Sequence, residues 1–151
     1  MVDPTGLVIC AAVLVAAAVF GAVRTARDGR LRVRSADAGL ALSAAELGSP
    51  LGGRATLVQF STTFCSSCDA ARRLLGGLAA ATAGVTHVEV DAEARPDLVA
   101  RLGILRSPTV LVLDRDGRIV RRASGPQRRA EILAGIEAAT GAGTAGALGR
   151  G

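Results

Sequence analysis

The chain has 151 residues, enough for one domain and an appendage. Half of them are apolar but only three are aromatic, so a core must be built from Leu, Val, Ile and Ala. The net charge of +5 rests entirely on arginine, lysine being absent; without Trp or Tyr to stack bases and without a nucleic-acid motif, this basic balance does not point to nucleic acid.

In chain order, the first element is the run Gly6 to Val23, GLVICAAVLVAAAVFGAV, eighteen residues without a charge. At about 1.5 Å per residue it makes a helix roughly 27 Å long, close to the thickness of a bilayer's hydrocarbon. It has no polar face, as a core helix of a soluble domain would. A cleavable signal peptide begins with a basic stretch, and Met1-Val2-Asp3-Pro4-Thr5 has none, so residues 1–23 are expected to be a tail and an uncleaved transmembrane anchor. Cys10 follows Ile9, where a lipoprotein box has a small residue, and reads as an apolar member of the span. Arg24, Arg27, Arg30, Arg32 and Arg34 flank one end of the run and no basic residue flanks the other. Basic residues accumulate on the cytoplasmic side, which predicts a single-pass membrane protein with its main domain on the cytoplasmic face. The same arginines can rest on anionic headgroups.

Residues 24–41 form a basic connector, with Leu31–Arg34 a candidate short strand. Ser43-Ala44-Ala45-Glu46 is a capping box opening a short helix. Ala55–Ser61 has strand character. Cys65–Ala81 carries Ala71, Leu74, Leu75, Leu78 and Ala81 at helical spacing. Val85–Asp91 is a strand, with Thr86, Val88 and Val90 on one face and His87 and Glu89 on the other. Pro96–Leu102 is a short helix stopped by Gly103. Thr109–Leu113 is a buried strand, Asp114–Gly117 a hairpin turn and Arg118–Ala123 its antiparallel partner. A final helix starts at Gly125-Pro126 and runs to about Ala139. Residues 140–151, rich in Gly and Ala, are expected to be a disordered tail. The domain thus spans 42–139 in the order β-α-β-α-β-β-α, which implies a mixed sheet with helices on both faces.

Two of the three cysteines form Cys65-Ser66-Ser67-Cys68 at the junction of a strand and a helix. Helix N-termini carry unsatisfied N–H groups and a partial positive charge, which favours a thiolate. The second sulfur, one turn further in, can attack a mixed disulfide formed on the first. Cys65 is therefore the candidate nucleophile and Cys68 the resolving thiol. With no second such pair and a single histidine, the four ligands of a structural zinc site are missing, and no metal is expected.

Four features together resemble the thioredoxin superfamily over about Ala55–Ala139: LVQFSTTFCSSC, VEVDAE, Arg106-Ser107-Pro108-Thr109 before TVLVL, and Gly125 after the hairpin. The resemblance implies a three-layer α/β/α thioredoxin-like fold behind the transmembrane helix. It implies a cis Ser107–Pro108 bond facing the cysteines and docking of a substrate strand at Ser107, Pro108 and Thr109. Phe64 stands where the family has Trp, beside the nucleophile, and is assigned to the same substrate surface. The family's buried Asp and its neighbouring Lys correspond to Gln59 and His87. Gln59 cannot take a proton, which leaves His87 as a candidate proton acceptor for Cys68, the alternative being a histidine without a role.

The expected activity is thiol–disulfide exchange with protein disulfides, in the reducing direction. No cofactor is expected beyond the redox-active disulfide Cys65–Cys68. Electrons would come from an external reductant, a reductase protein or a small thiol, because the chain has no flavin or nicotinamide fingerprint. Two alternatives stand beside this one: a non-catalytic thioredoxin-like binding module, and an extracytoplasmic disulfide reductase or cofactor-maturation factor if the topology is reversed.

Overall fold

The computed structural model describes residues 4–27, 37 and 39–148. The candidate strand Leu31–Arg34 and the side chains of Arg27, Arg30, Arg32 and Arg34 lie outside the described residues.

Helix α1, Pro4–Arg27, extends the apolar run by a few residues at each end. Its segment Thr5–Arg24 has a mean hydropathy of 2.7 and none of it is buried. It has the length and apolarity to cross a membrane, as a signal sequence also can. Helix α2, Ala44–Leu47, is capped as the sequence requires: Ser43 Oγ accepts from the Glu46 amide and Glu46 reaches back to the Ser43 N–H, 2.8 Å. Then follow β1 (Ala55–Ser61), α3 (Ser66–Ala81), β2 (Val85–Asp91), α4 (Pro96–Leu102), β3 (Thr109–Asp114), β4 (Ile119–Ser124) and α5 (Arg129–Leu148).

The four strands form one mixed sheet in the order β2-β1-β3-β4. β1 runs parallel to β2 and antiparallel to β3, and β4 returns antiparallel to β3. β1 lies inside the sheet and is buried along its whole length, its polar Thr56, Gln59 and Ser61 included. Side-chain alternation divides the core in two. Val58, Phe60, Val88, Val90, Leu111 and Leu113 pack with Leu98 and Leu102 of α4. Ala55, Leu57, Val110 and Val112 pack with Leu75 and Leu78 of α3 and with Ile132 and Ile136 of α5. The result is the three-layer α/β/α arrangement expected.

Both ends of the domain differ from the sequence reading. Packing begins at Asp37 rather than Leu42. Asp37 is buried against Arg122, Ala41 bridges Arg118, and the Leu42 N–H donates to the Gly117 carbonyl at 2.9 Å. Gly117 makes that approach possible: its φ is +81°, and a Cβ there would sit 2.2 Å from the Leu42 carbonyl oxygen. These links join residues far apart in the chain, so nothing local marked the boundary. At the other end, α5 starts at Arg129 instead of Gly125, because Gly125 adopts φ +85° and donates its N–H to the Pro108 carbonyl, 2.8 Å. It then runs through Leu148, across residues expected to be a disordered tail. Alanine favours helix most among the residues and no proline interrupts the stretch, which offsets its glycines.

Candidate active site

Cys65 caps α3 and Cys68 lies in that helix's first turn, where the Cys68 N–H donates to the Cys65 carbonyl at 3.0 Å. The two sulfurs form a disulfide, with Cα atoms 5.2 Å apart. Cys65 is half-buried and Cys68 is buried, which matches a reachable first sulfur and a sheltered second one. Ser67 Oγ lies 3.5 Å from Cys65 Sγ, so its hydroxyl can donate to that sulfur. The sixteen-residue helix behind the pair places a partial positive charge at Cys65.

Gln59 is fully buried on the α3 side of β1. Its Nε2 donates to the Cys68 carbonyl, 2.9 Å, and its Oε1 lies 3.2 Å from His87 Nε2. Gln59, His87 and Cys68 are thus brought together, but the link ends on a main-chain oxygen of Cys68. Burial, together with the Arg72 charge, pulls the His87 imidazole below its ordinary pKa, against the opposing pull of Glu89.

Ser107–Pro108 is a cis peptide bond, as the resemblance implied. Pro108 is buried and Ser107 is half-exposed beside the disulfide. Thr109 is buried: its hydroxyl donates to the Arg106 carbonyl, 2.7 Å, and lies 3.1 Å from Ser124 Oγ. Its side chain is therefore turned into the loop.

Two clefts meet at Cys65. One, about 540 Å³, is bordered by Phe64, Ile104, Leu105, Arg106 and Ser107. Phe64 is 98% exposed and Leu105 89%, so two large apolar side chains stand in solvent on its rim. The other, about 430 Å³, is polar and reaches Cys68 past Ser61, Asp69, Arg72 and Glu89. Arg72 grips both oxygens of Glu89 at 2.6 Å and Asp69 at 2.6 Å, while Ser61 donates to Glu89 at 2.5 Å. The hydrogen bond from Arg72, with that from Ser61, holds the Glu89 carboxyl below the usual range.

Sequence reasoning missed Leu105, Ser61, Arg72 and Glu89. Weak signals existed: Arg72 follows Cys68 by four positions on one helix face, and Glu89 shares a strand face with His87. Leu105 is an apolar residue in a loop, a position that periodicity does not explain. Among the described residues, no group of three or more His, Cys, Asp or Glu side chains is placed to hold a metal ion.

An α/β domain with a disulfide at a helix start, opposite a cis-proline loop, defines a class, and comparison with known proteins gives the same one. The family model for thioredoxin matches residues 49–138. The chain belongs to the thioredoxin family. Among solved structures, a mutant thioredoxin from Halobacterium salinarum superposes with a TM-score of 0.53 at 22% identity, covering 58% of this chain and 76% of its own. The oxidized mitochondrial thioredoxin 3 of Saccharomyces cerevisiae gives 0.50 at 22% identity, covering 56% and 78%. A chloroplastic thioredoxin z gives 0.51 at 26% identity, covering 58% and 79%. A search of curated proteins finds no match. The domain with its Cys65–Cys68 pair has the general arrangement of a thiol–disulfide oxidoreductase.

Proposed function

We propose that this protein is a membrane-tethered thiol–disulfide oxidoreductase that reduces protein disulfides on the cytoplasmic face. The observation that carries the reading is the position of Cys65–Cys68, at the N-terminus of α3 and beside the loop ending in cis Pro108. In the reduced protein the Cys65 thiolate attacks one sulfur of a partner's disulfide. The partner's other sulfur leaves as a thiolate and takes a proton from solvent. Cys68 then loses its proton and attacks Cys65 Sγ, which releases the second partner thiol and closes the Cys65–Cys68 bond. Two electrons pass to the partner, and a reductase or small thiol must return them. No further cofactor enters this scheme.

Phe64 and Leu105 offer apolar contact to the partner on either side of the cleft, and the main chain at Ser107 and Pro108 offers an edge for an extended segment. The exposed apolar helix α1 supplies the tether, and the arginines from Arg24 to Arg34 favour the cytoplasmic side for the domain.

The deciding measurement is the reduction potential of Cys65–Cys68 in the full chain in detergent, equilibrated against dithiothreitol and glutathione, beside turnover on insulin disulfides. A value toward about −270 mV with turnover supports a reductase; one toward about −120 mV reverses the direction and argues for the other topology. A disulfide that exchanges with neither reagent leaves the binding-module reading in its place.

A further inference from the structure

Asp37 and Arg122 are among the few charged side chains buried in the domain, 5% and 8% exposed. They lie 85 positions apart in the chain and make a two-point ion pair: Arg122 Nε to Asp37 Oδ2 at 3.0 Å, and Nη2 to Oδ1 at 2.6 Å. The same Nη2 donates to the Leu102 carbonyl at 2.8 Å. Burying two charges costs desolvation that their attraction need not recover, so a pair of this kind is weak as a source of stability. Its geometry is the informative part.

Leu102 is the last residue of α4, and its carbonyl is one of those a helix end leaves without a partner. The chain then turns at Gly103 into the loop that carries Leu105, Arg106 and Ser107 to the rim beside Cys65. The far end of that loop is fixed by Thr109 on the Arg106 carbonyl and by Gly125 on the Pro108 carbonyl. At the near end, Ile104 N–H bonds the Val99 carbonyl within the helix end itself, and Arg122 ties that end to the sheet. Arg122 is oriented by Asp37, which precedes the segment 49–138 matched to the family.

We propose that Asp37 is a positioning residue for partner docking: through Arg122 it fixes the C-terminal end of α4, and with it the loop Gly103–Pro108 that flanks Cys65. Asp37, at the start of the packed domain, is thereby joined to the end of α4. This rests on the reading that the loop docks protein disulfides.

The test uses the full chain in detergent, as Asp37→Asn and as a double variant, Asp37→Leu with Arg122→Met, which leaves no unpaired buried charge. Both are expected to raise KM for insulin disulfides several-fold, with kcat, the rate on the small disulfide cystamine and the Cys65–Cys68 potential unchanged. Amide hydrogen exchange at residues 103–107 is expected to quicken. Unchanged KM and unchanged exchange in a folded variant overturn the proposal. If Asp37→Asn does not fold, the double variant decides. If the unaltered protein does not reduce insulin, the functional reading fails, and exchange at 103–107 still decides whether Asp37 holds the loop.

Discussion

The buried Gln59 amide sets the tautomer of His87: Oε1 lies 3.2 Å from His87 Nε2, and the amide nitrogen lies 2.9 Å from the Cys68 carbonyl. A carbonyl only accepts, so the amide nitrogen must face Cys68 and Oε1 must accept from His87. His87 Nε2 therefore carries a proton whether the ring is neutral or charged. An amide does not ionise, and the link does not reach the sulfur of Cys68. This arrangement holds the first turn of α3 in place beneath the disulfide. Gln59→Leu leaves both the Cys68 carbonyl and the His87 N–H without their partner, and should destabilise the protein by about 1–3 kcal/mol. Urea unfolding of the oxidised protein, followed by circular dichroism, measures this.

Stability should fall as the pH drops, in two stages. Burial, the first cause, holds folded His87 below its usual 6.5, so below that pH the unfolded chain binds the extra proton more readily and stability declines through the lower folded value. Glu89 is depressed from 4.5, chiefly by the Arg72 hydrogen bond, so its contribution is present above that pH and is lost on further acidification. Melting temperatures taken from about pH 8 to about pH 2 should show both stages. In His87→Leu the upper stage should vanish and the lower remain; an unchanged upper stage refutes the assignment.

The order of the two sulfurs is open to trapping. In a Cys10→Ala background, Cys68→Ser should accumulate a mixed disulfide between Cys65 and the partner, visible by mass spectrometry without reductant. Cys65→Ser should form none, and both should lose turnover. Trapping through Cys68 instead would invert the assignment.

Phe64 is 98% exposed, so removing its ring should leave stability within about 0.5 kcal/mol. If it docks partners, Phe64→Ala costs binding about 1 kcal/mol or more, a roughly fivefold or greater rise in KM on insulin. Leu105→Ala should act in the same direction. The rate on cystamine, which is too small to reach both side chains, should hold steady.

Much of this molecule could be read from local pattern. β1, β2 and α4 fall on the expected residues because apolar periodicity and punctuation at Pro50, Gly84, Pro96 and Gly103 agree there. Cys65, Phe64 and Ser107 border one cleft, and Cys68 is bonded to Cys65. Asp37 escaped notice because its partner is 85 positions away and a lone Asp in a polar stretch has no period. The Arg72–Glu89 contact depends on how α3 lies over β2, which spacing along either element does not specify. The end of α5 was illegible for a different reason: alanine promotes helix, glycine opposes it, and a sequence of both leaves the balance to the fold.

Asp37, the point where the domain is fastened, follows the last residue of α1 by only ten positions. Ten residues reach at most about 35 Å when fully stretched. With α1 in a bilayer, Cys65 is confined to a thin layer above the lipid, and its search for partners becomes a search over a surface. A partner anchored in the same membrane meets the disulfide at a local concentration that free diffusion does not provide, while a soluble partner of equal affinity gains nothing. In that arrangement the short leash would favour partners by address, beside whatever choice the potential of the sulfurs makes.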